Sequence, residues 1–119
     1  PRQISEEKRI RLTTLLSAAS PKGLVGLGFV RGDAEGETLA EQIDEVLKAA
    51  GWPTTGIAQA ADDGGKATGL FVLVKSASRA PAHAAVLQRV FSEAGIQLPA
   101  YTKSDLDADD VDIIIGTRP

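Results

Sequence analysis

The stretch Val25-Gly-Leu-Gly-Phe-Val-Arg31 decides the fold, because it is an apolar run followed by an amphipathic helix, and the chain repeats this unit from Gly69-Leu-Phe-Val-Leu-Val-Lys75. The helical halves of the two units match in turn: Ile43, Val46, Leu47, Ala50 and Gly51 lie over Leu87, Val90, Phe91, Ala94 and Gly95. A strand and helix that occur twice are typical of an α/β protein whose equivalent units share one sheet.

Three further segments complete the predicted order of elements. Ser5 predicts the N-cap of a first helix that ends before Ser20. Residues 54–60 predict a weaker strand, residues 62–65 a turn, and residues 111–115 a short buried strand. The predicted order is therefore helix, strand, helix, strand, strand, helix, strand.

Capping residues mark the ends of the second and third helices. Gly51 and Gly95 predict left-handed residues at the two C-termini, and Ser78 or Ala80 predicts the N-cap of the third helix. Trp52 directly follows the first of these glycines and is predicted to seal the core.

The three most apolar strands predict the architecture. Residues 24–30, 70–74 and 111–115 are apolar on both faces, which is typical of strands covered on two sides. We therefore predict an α/β fold, a three-layer sandwich with a mixed, mainly parallel sheet, built from two strand-helix repeats plus an N-terminal helix. The alternative is a ferredoxin-like α+β fold, in which residues 62–68 make a hairpin and the sheet is antiparallel.

The chain is long enough to form one domain with its own core. We predict a single domain over residues 1–119. Its N-terminal helix occupies residues 1–20, the first repeat residues 21–61 and the second repeat residues 69–119.

The composition excludes several classes of site. The chain has no Cys and one His, so zinc sites and cysteine-based chemistry lack their ligands. The formal net charge of -3 and the scattered basic residues argue against a nucleic-acid surface. No apolar run approaches the ~20 residues that span a bilayer. We predict no metal, no cofactor and no nucleic-acid partner.

Two patterns imitate ligand-binding motifs and depart from them. Gly26, Gly28 and Gly32 have the spacing G-x-G-x-x-x-G, and the first two lie within the predicted strand. They predict a helix packed closely on their side of the sheet rather than a dinucleotide loop. The aspartates between 105 and 112 imitate a calcium loop, but Asp110 stands where that loop requires Gly. We interpret this segment as a solvated acidic connection.

The equivalent loops of the two repeats supply the candidate binding site. If the repeated strands are parallel neighbours, the loops at 31–34 and 75–79 meet at the carboxyl edge of the sheet, where α/β proteins bind ligands. The cations, the hydroxyls and the free N–H groups of the third helix suit a small anion or nucleotide. The predicted ligand-binding residues are Arg31, Asp33, Lys75, Ser76, Ser78, Arg79 and His83.

His83 is the unusual member of this set, because it takes the core-facing position that Leu39 holds in the first repeat. One hypothesis places the imidazole in the ligand pocket, where acid-base chemistry with Asp33 is conceivable. The other leaves it half-buried and hydrogen-bonded to the backbone. No residue is assigned a catalytic role, and a binding function is preferred to enzymatic activity.

Four segments carry a resemblance to a known class of domains. These are Gly-Asp-Ala-Glu-Gly at 32–36, Leu-Ala-Glu-Gln-Ile at 39–43, Ala-Ala-Gly-Trp at 49–52 and Ile-Ile-Ile-Gly-Thr-Arg-Pro at 113–119. They resemble uncharacterised bacterial domains that follow N-terminal membrane segments. The resemblance implies a soluble head on a membrane-tethered protein, expected on the cytoplasmic side of the inner membrane and in contact with the membrane only through segments outside this sequence. The lack of Met agrees with a piece of a longer chain.

These observations lead to two hypotheses about function. The first is a non-enzymatic sensing or protein-interaction domain of a larger bacterial protein. The alternative is a domain that binds a small anion or a nucleotide between the loops at 31–34 and 75–79. The expected partner is accordingly either a protein or a small anionic ligand.

Overall fold

A computed structural model of the chain describes residues 3–60 and 68–117. Within these ranges there are three α-helices and five β-strands: α1 (Glu6–Ala18), β1 (Val25–Val30), α2 (Ala34–Ala49), β2 (Thr54–Ala60), β3 (Leu70–Val74), α3 (Ala82–Glu93), β4 (Ala100–Thr102) and β5 (Asp112–Ile115). The predicted turn at 62–65 and the predicted ends of the two repeats, at 61 and 119, lie outside the described residues.

Local capping explains most helix boundaries. The Ser5 hydroxyl accepts a hydrogen bond from the Lys8 N–H at 3.2 Å, which confirms the predicted cap of α1. Gly51 and Gly95 end α2 and α3 with φ of 85° and 84°, a region that L side chains avoid. The predicted cap of α3 is wrong. Residues 77–79 form a 3-10 turn instead, so the helix begins only after Pro81 and has no side-chain cap.

The described strands form one five-stranded sheet in the order β2-β1-β5-β3-β4. β1 is parallel to β2 and β5, β3 is parallel to β4, and only the pair of β3 with β5 is antiparallel. The α/β class with a mixed, mainly parallel sheet and an N-terminal helix is therefore confirmed. The ferredoxin-like alternative is wrong, because β1 and β5 separate the two strands that would form its hairpin.

β5 lies between the strands of the two repeats. The candidate crevice requires β1 and β3 to be parallel neighbours, but each of them pairs with β5 and they run in opposite directions. Ile113 and Ile115 of β5 have no exposed surface. This strand takes the centre of the sheet and therefore keeps the two repeated strands apart.

One face of the sheet and all three described helices share a single core. The buried residues of this face are Val25, Leu27, Phe29, Val72, Val74, Ile113 and Ile115, and they pack with buried residues of α1, α2 and α3. α1 contacts both other helices, and the Trp52 Nε1–H donates to the Leu16 carbonyl at 3.0 Å. Trp52 is buried, as predicted.

The opposite face, which we call the open face, carries the alternate residues of the same strands. The sequence predicts helices on both sides, whereas the described helices pack on one side only. Phe71 lies on the open face and is nevertheless buried, and the exposed Tyr101 packs edge-on against it with ring centroids 5.3 Å apart. The shortest dimension of the chain, 22 Å, agrees with one layer of helices on one sheet.

Candidate functional site

The structure separates the predicted ligand-binding residues into two groups. Arg31 and Asp33 follow β1, whereas the residues at 75–79 follow β3. Because β1 and β3 run in opposite directions, these two loops lie at opposite ends of the strands. The prediction that they form one crevice is wrong, so Arg31 and Asp33 do not share a site with the residues at 75–79.

His83 belongs to neither loop. It is half-buried, and its Nε2 lies 2.9 Å from the carbonyl oxygen of Leu24, before the start of β1. Its ring centroid is 6.2 Å from that of Trp52. Asp33 lies beyond the far end of β1, whose six residues span about 20 Å. Acid-base chemistry by this pair is therefore excluded by geometry, and the backbone-bonded role of His83 is the one observed.

Gly23 provides the space for this imidazole. A Cβ atom placed on Gly23 would lie 2.3 Å from Nδ1 of His83, and the φ of this glycine is not in the left-handed region. We expect Gly23→Ala to lower the free energy of unfolding by about 1–3 kcal/mol, because the ring must leave its site. Urea denaturation measures the change.

The matched background for this substitution is His83→Ala. The three atoms nearest to the added methyl group all belong to the His83 ring. With the ring removed, Gly23→Ala should cost less than about 0.5 kcal/mol. Equal costs in the two backgrounds would show that the steric argument is mistaken.

Part of the predicted ligand-binding set, in the loop at 75–79, lies around one cavity. Lys75, Ser76 and Arg79 line one cavity of about 340 Å³ with Ala108. The hydroxyl oxygens of Ser76 and Ser78 lie 3.1 Å apart and share a hydrogen bond. This loop can present two positive charges to a small anion without any residue from the first repeat.

The open face carries a concave groove that the sequence does not reveal. Its volume is about 370 Å³, and it crosses four strands from β2 to β3 before it reaches the segment that follows β4. Its lining includes small residues (Gly26, Gly28, Ala58), polar residues (Thr55, Lys103, Asp112) and apolar residues (Leu73, Leu106, Ile114). A floor of glycine and alanine leaves backbone within reach of a ligand.

Asp112 is the central polar group of this groove. It lies directly opposite Gly26 in the ladder of β1 and β5. A Cβ atom on Gly26 would be 2.4 Å from its Oδ1 and 3.2 Å from the hydroxyl oxygen of Thr55. Gly26 therefore makes room for a carboxylate from β5, and the prediction of a closely packed helix on this side is wrong. Among the described residues, no hydrogen-bond donor reaches the carboxylate of Asp112.

A β-bulge positions Thr55 beside this carboxylate. The register of β1 with β2 shifts between Val25 and Leu27, and Gly56 adopts a φ of 98°. The extra residue turns the start of β2 toward the groove. The sequence signal for the site is a single polar residue in an otherwise apolar strand, opposite a glycine, but it is visible only when the register of the two strands is known.

Burial raises the pKa of Asp112, the nearby Asp110 adds to the rise, and Lys103 opposes it. The pKa of such a carboxyl is higher in the folded than in the unfolded state. Its contribution to stability is fully present below the unfolded-state pKa and is lost as the pH rises through the folded-state pKa. We therefore expect Asp112→Asn to be more stable than the parent chain at neutral pH, with a difference that shrinks toward pH of about 3. Urea denaturation across this range measures it.

The control for this pH dependence is Asp109→Asn, which removes an exposed carboxyl from the same acidic segment. Its stability should follow that of the parent chain at every pH. If Asp112→Asn is instead less stable at neutral pH, the Asp112 carboxylate makes a favourable contact that outweighs its burial.

The acidic segment itself forms a local turn. The backbone N–H of Asp107 donates to Oδ2 of Asp110 at 3.1 Å. Within residues 3–60 and 68–117, no three acidic or histidine side chains are arranged to hold a metal ion. In the same part of the chain, no helix has both the length and the apolar character needed to cross a bilayer.

Comparison with known proteins gives no family for this chain, so the geometry described above is the basis for its proposed function. No protein-family model, curated protein or solved structure matches this chain.

Proposed function

We propose that the chain is a non-enzymatic sensing domain of a larger bacterial protein, and that it binds a small polar ligand in the groove on the open face. The observation that supports this most directly is the Asp112 carboxylate, which lies over Gly26 without a hydrogen-bond donor among the described residues. A half-buried carboxylate in a concave site is a ready acceptor for a ligand, because it gains a partner that the protein does not supply.

The polar groups of the groove indicate the chemistry of the ligand. Asp112 and Thr55 offer oxygen atoms close to one point of the floor. Lys103 lines the same groove and brings an ammonium group, which also lies 4.0 Å from a carboxylate oxygen of Asp105. A ligand with an amino group at Asp112 and a carboxylate at Lys103 satisfies both charges. Small zwitterions such as free amino acids have this arrangement.

The distribution of titratable groups favours binding over catalysis. His83 bonds to the backbone on the side of the helices, and Asp33 lies at the far edge of the sheet. A general acid-base pair needs two such groups within hydrogen-bond reach of one reacting atom. The groove instead offers fixed charges around a small floor, which is the arrangement of a recognition site.

The experiment is a thermal-shift screen of the chain against free amino acids and amino sugars. A ligand at 100 times its Kd adds about 2.7 kcal/mol of stability. We expect stabilisation of the parent chain and of Asp109→Asn, and none of Asp112→Asn. Gly26→Ala keeps every charge but displaces the carboxylate, so it should weaken the response as well. If no compound stabilises the parent chain, or if Asp112→Asn responds equally, the proposal is wrong.

A second candidate function follows from the cavity at Lys75, Ser76 and Arg79, which suits a small anion such as phosphate. Titration with phosphate, followed by backbone amide shifts in NMR, tests it. We expect shifts at residues 75–79 that vanish in Arg79→Gln and persist in Arg31→Gln, which removes a cation from the opposite edge. Equal shifts in both variants would indicate unspecific ion effects and reject this candidate.

A further inference from the structure

The sheet has two outer edges that differ in their protection against pairing. β4 has only three residues, and Pro99 and Lys103 flank it, features that commonly blunt an edge. Pro53 precedes β2 and a β-bulge lies near its start, but its seven residues, Thr-Thr-Gly-Ile-Ala-Gln-Ala, include no charge and no proline. Among the described strands only β1 pairs with β2, so within residues 3–60 and 68–117 no strand pairs with the backbone N–H and C=O groups on its other side.

A negatively charged helix flanks this free edge. Glu41, Asp44 and Glu45 of α2 line one depression of about 510 Å³ together with Ile57 of β2. The only cation in this lining, Lys48, holds Oδ2 of Asp44 at 2.9 Å. Oδ1 of Asp44 is buried and has no hydrogen-bond partner among the described residues. The depression therefore keeps an excess of negative charge beside an unpaired strand.

We infer that the outer edge of β2 binds an extended, basic segment of a partner protein, which adds a strand to the sheet. Backbone hydrogen bonds to β2 give such a complex its affinity, and alternate side chains of the added strand give it specificity. On the side of α2, Lys or Arg side chains meet Glu41 and Glu45. This surface shares β2 with the groove on the open face, but it uses the outer backbone edge of that strand and the side of α2.

The charge of α2 favours a basic segment over a second copy of this chain. Two copies that pair through β2 in antiparallel fashion bring their α2 helices side by side, so Glu41 and Glu45 of one copy face the same residues of the other. Like charges at such an interface oppose association. A segment with positive side chains gains from the same residues.

The test uses a peptide of about eight residues that alternates Val and Lys, because such a sequence is extended and basic. Two matched peptides accompany it: one alternates Val and Glu, and the other repeats the first with every backbone amide N-methylated. Fluorescence anisotropy measures the Kd, and backbone amide shifts in NMR locate the contact. We expect only the unmodified basic peptide to bind, with the largest shifts at Ile57, Ala58 and Gln59.

The matched variants distinguish the effect of charge beside β2 on the Kd from the effect of the net charge of the chain. Glu41→Lys/Glu45→Lys should raise the Kd at least about tenfold. Glu7→Lys/Asp109→Lys makes the same change in net charge elsewhere and should leave the Kd within about twofold. Asp112→Asn should also leave it unchanged, so failure of the proposed groove and failure of this inference are distinguishable.

Three outcomes would overturn the inference. Backbone pairing requires that the N-methylated peptide bind more weakly than the unmodified one, so equal affinity of the two peptides rejects the inference. Shifts centred on Gly26, Leu73 and Asp112, which line the groove and lie outside β2, would move the peptide to the open face. A concentration-dependent dimer that shifts Ile57, Ala58 and Gln59 without any peptide would identify a second copy as the occupant.

Discussion

Trp52→Ala is expected to lower the free energy of unfolding by about 3–5 kcal/mol, the range for truncation of a large buried aromatic residue. Trp52 is 2% exposed and lies where α1, the end of α2 and the start of β2 meet. Its indole N–H also donates to the Leu16 carbonyl at 3.0 Å. One substitution therefore opens a cavity in the core and removes a link between α1 and the rest of the chain. Urea denaturation at neutral pH measures the loss.

Trp52→Phe separates these two contributions. Phenylalanine keeps most of the apolar contact and has no donor for Leu16, whose carbonyl still accepts from the N–H of Ala19 at 3.3 Å. We expect this variant to lose about 1–2 kcal/mol, clearly less than the alanine variant. A loss below about 1 kcal/mol for Trp52→Ala would show that this residue does not hold α1 on the core.

Ile113→Ala is expected to cost about 2–5 kcal/mol, because this residue has no exposed surface and lies on the central strand. It packs beside Leu27 and Val72, its partners on the two neighbouring strands. The helices cover this face of the sheet, so the cavity cannot fill with water without exposing the core. Chemical denaturation gives the difference from the parent chain.

Ile114→Ala is the matched control, since it removes the same atoms from the next residue of the same strand. Ile114 is only half-buried and lines the groove on the open face. We expect a cost of at most about 1 kcal/mol, in proportion to the smaller area removed from water. Similar costs at 113 and 114 would contradict the one-sided core and would mean that the open face is covered as well.

The helices could be predicted from the sequence because their signals are local. The stripe of Leu39, Ile43, Val46 and Leu47 repeats at helical spacing, and Gly51 ends the helix with its positive φ. α3 shows the limit of such signals. Ser78 is a good capping residue, yet the 3-10 turn at 77–79 uses it before the helix starts.

Strand order could not be predicted in the same way, because pairing joins segments that are distant along the chain. β5 is short, and nothing in its own sequence indicates that it separates β1 from β3. Once the order is known, the position of the helices follows. α2 connects β1 to β2 at one outer edge of the sheet, and α3 connects β3 to β4 at the other outer edge. Because β1 and β3 also run in opposite directions, two right-handed crossovers place both helices on the same side of the sheet.

The candidate site illustrates the same limit. The glycines in β1 were visible in the sequence, but their purpose depends on which residue lies opposite them. Asp112 reads as part of an acidic stretch until the register places it against Gly26. Conversely, Arg31 and Lys75 hold equivalent positions in the two repeats, and only strand direction reveals that they lie at opposite ends of the strands.

The central position of β5 also bears on how the chain is made. β1 with β2 and β3 with β4 form two strand pairs that do not pair with each other in the described sheet, and β5 alone bridges them. During synthesis on the ribosome, both pairs emerge before the strand that joins them, so the sheet closes only after residue 115 has left the exit tunnel. Until then the emerging chain exposes unpaired strand edges and apolar surface, the features that attract chaperones.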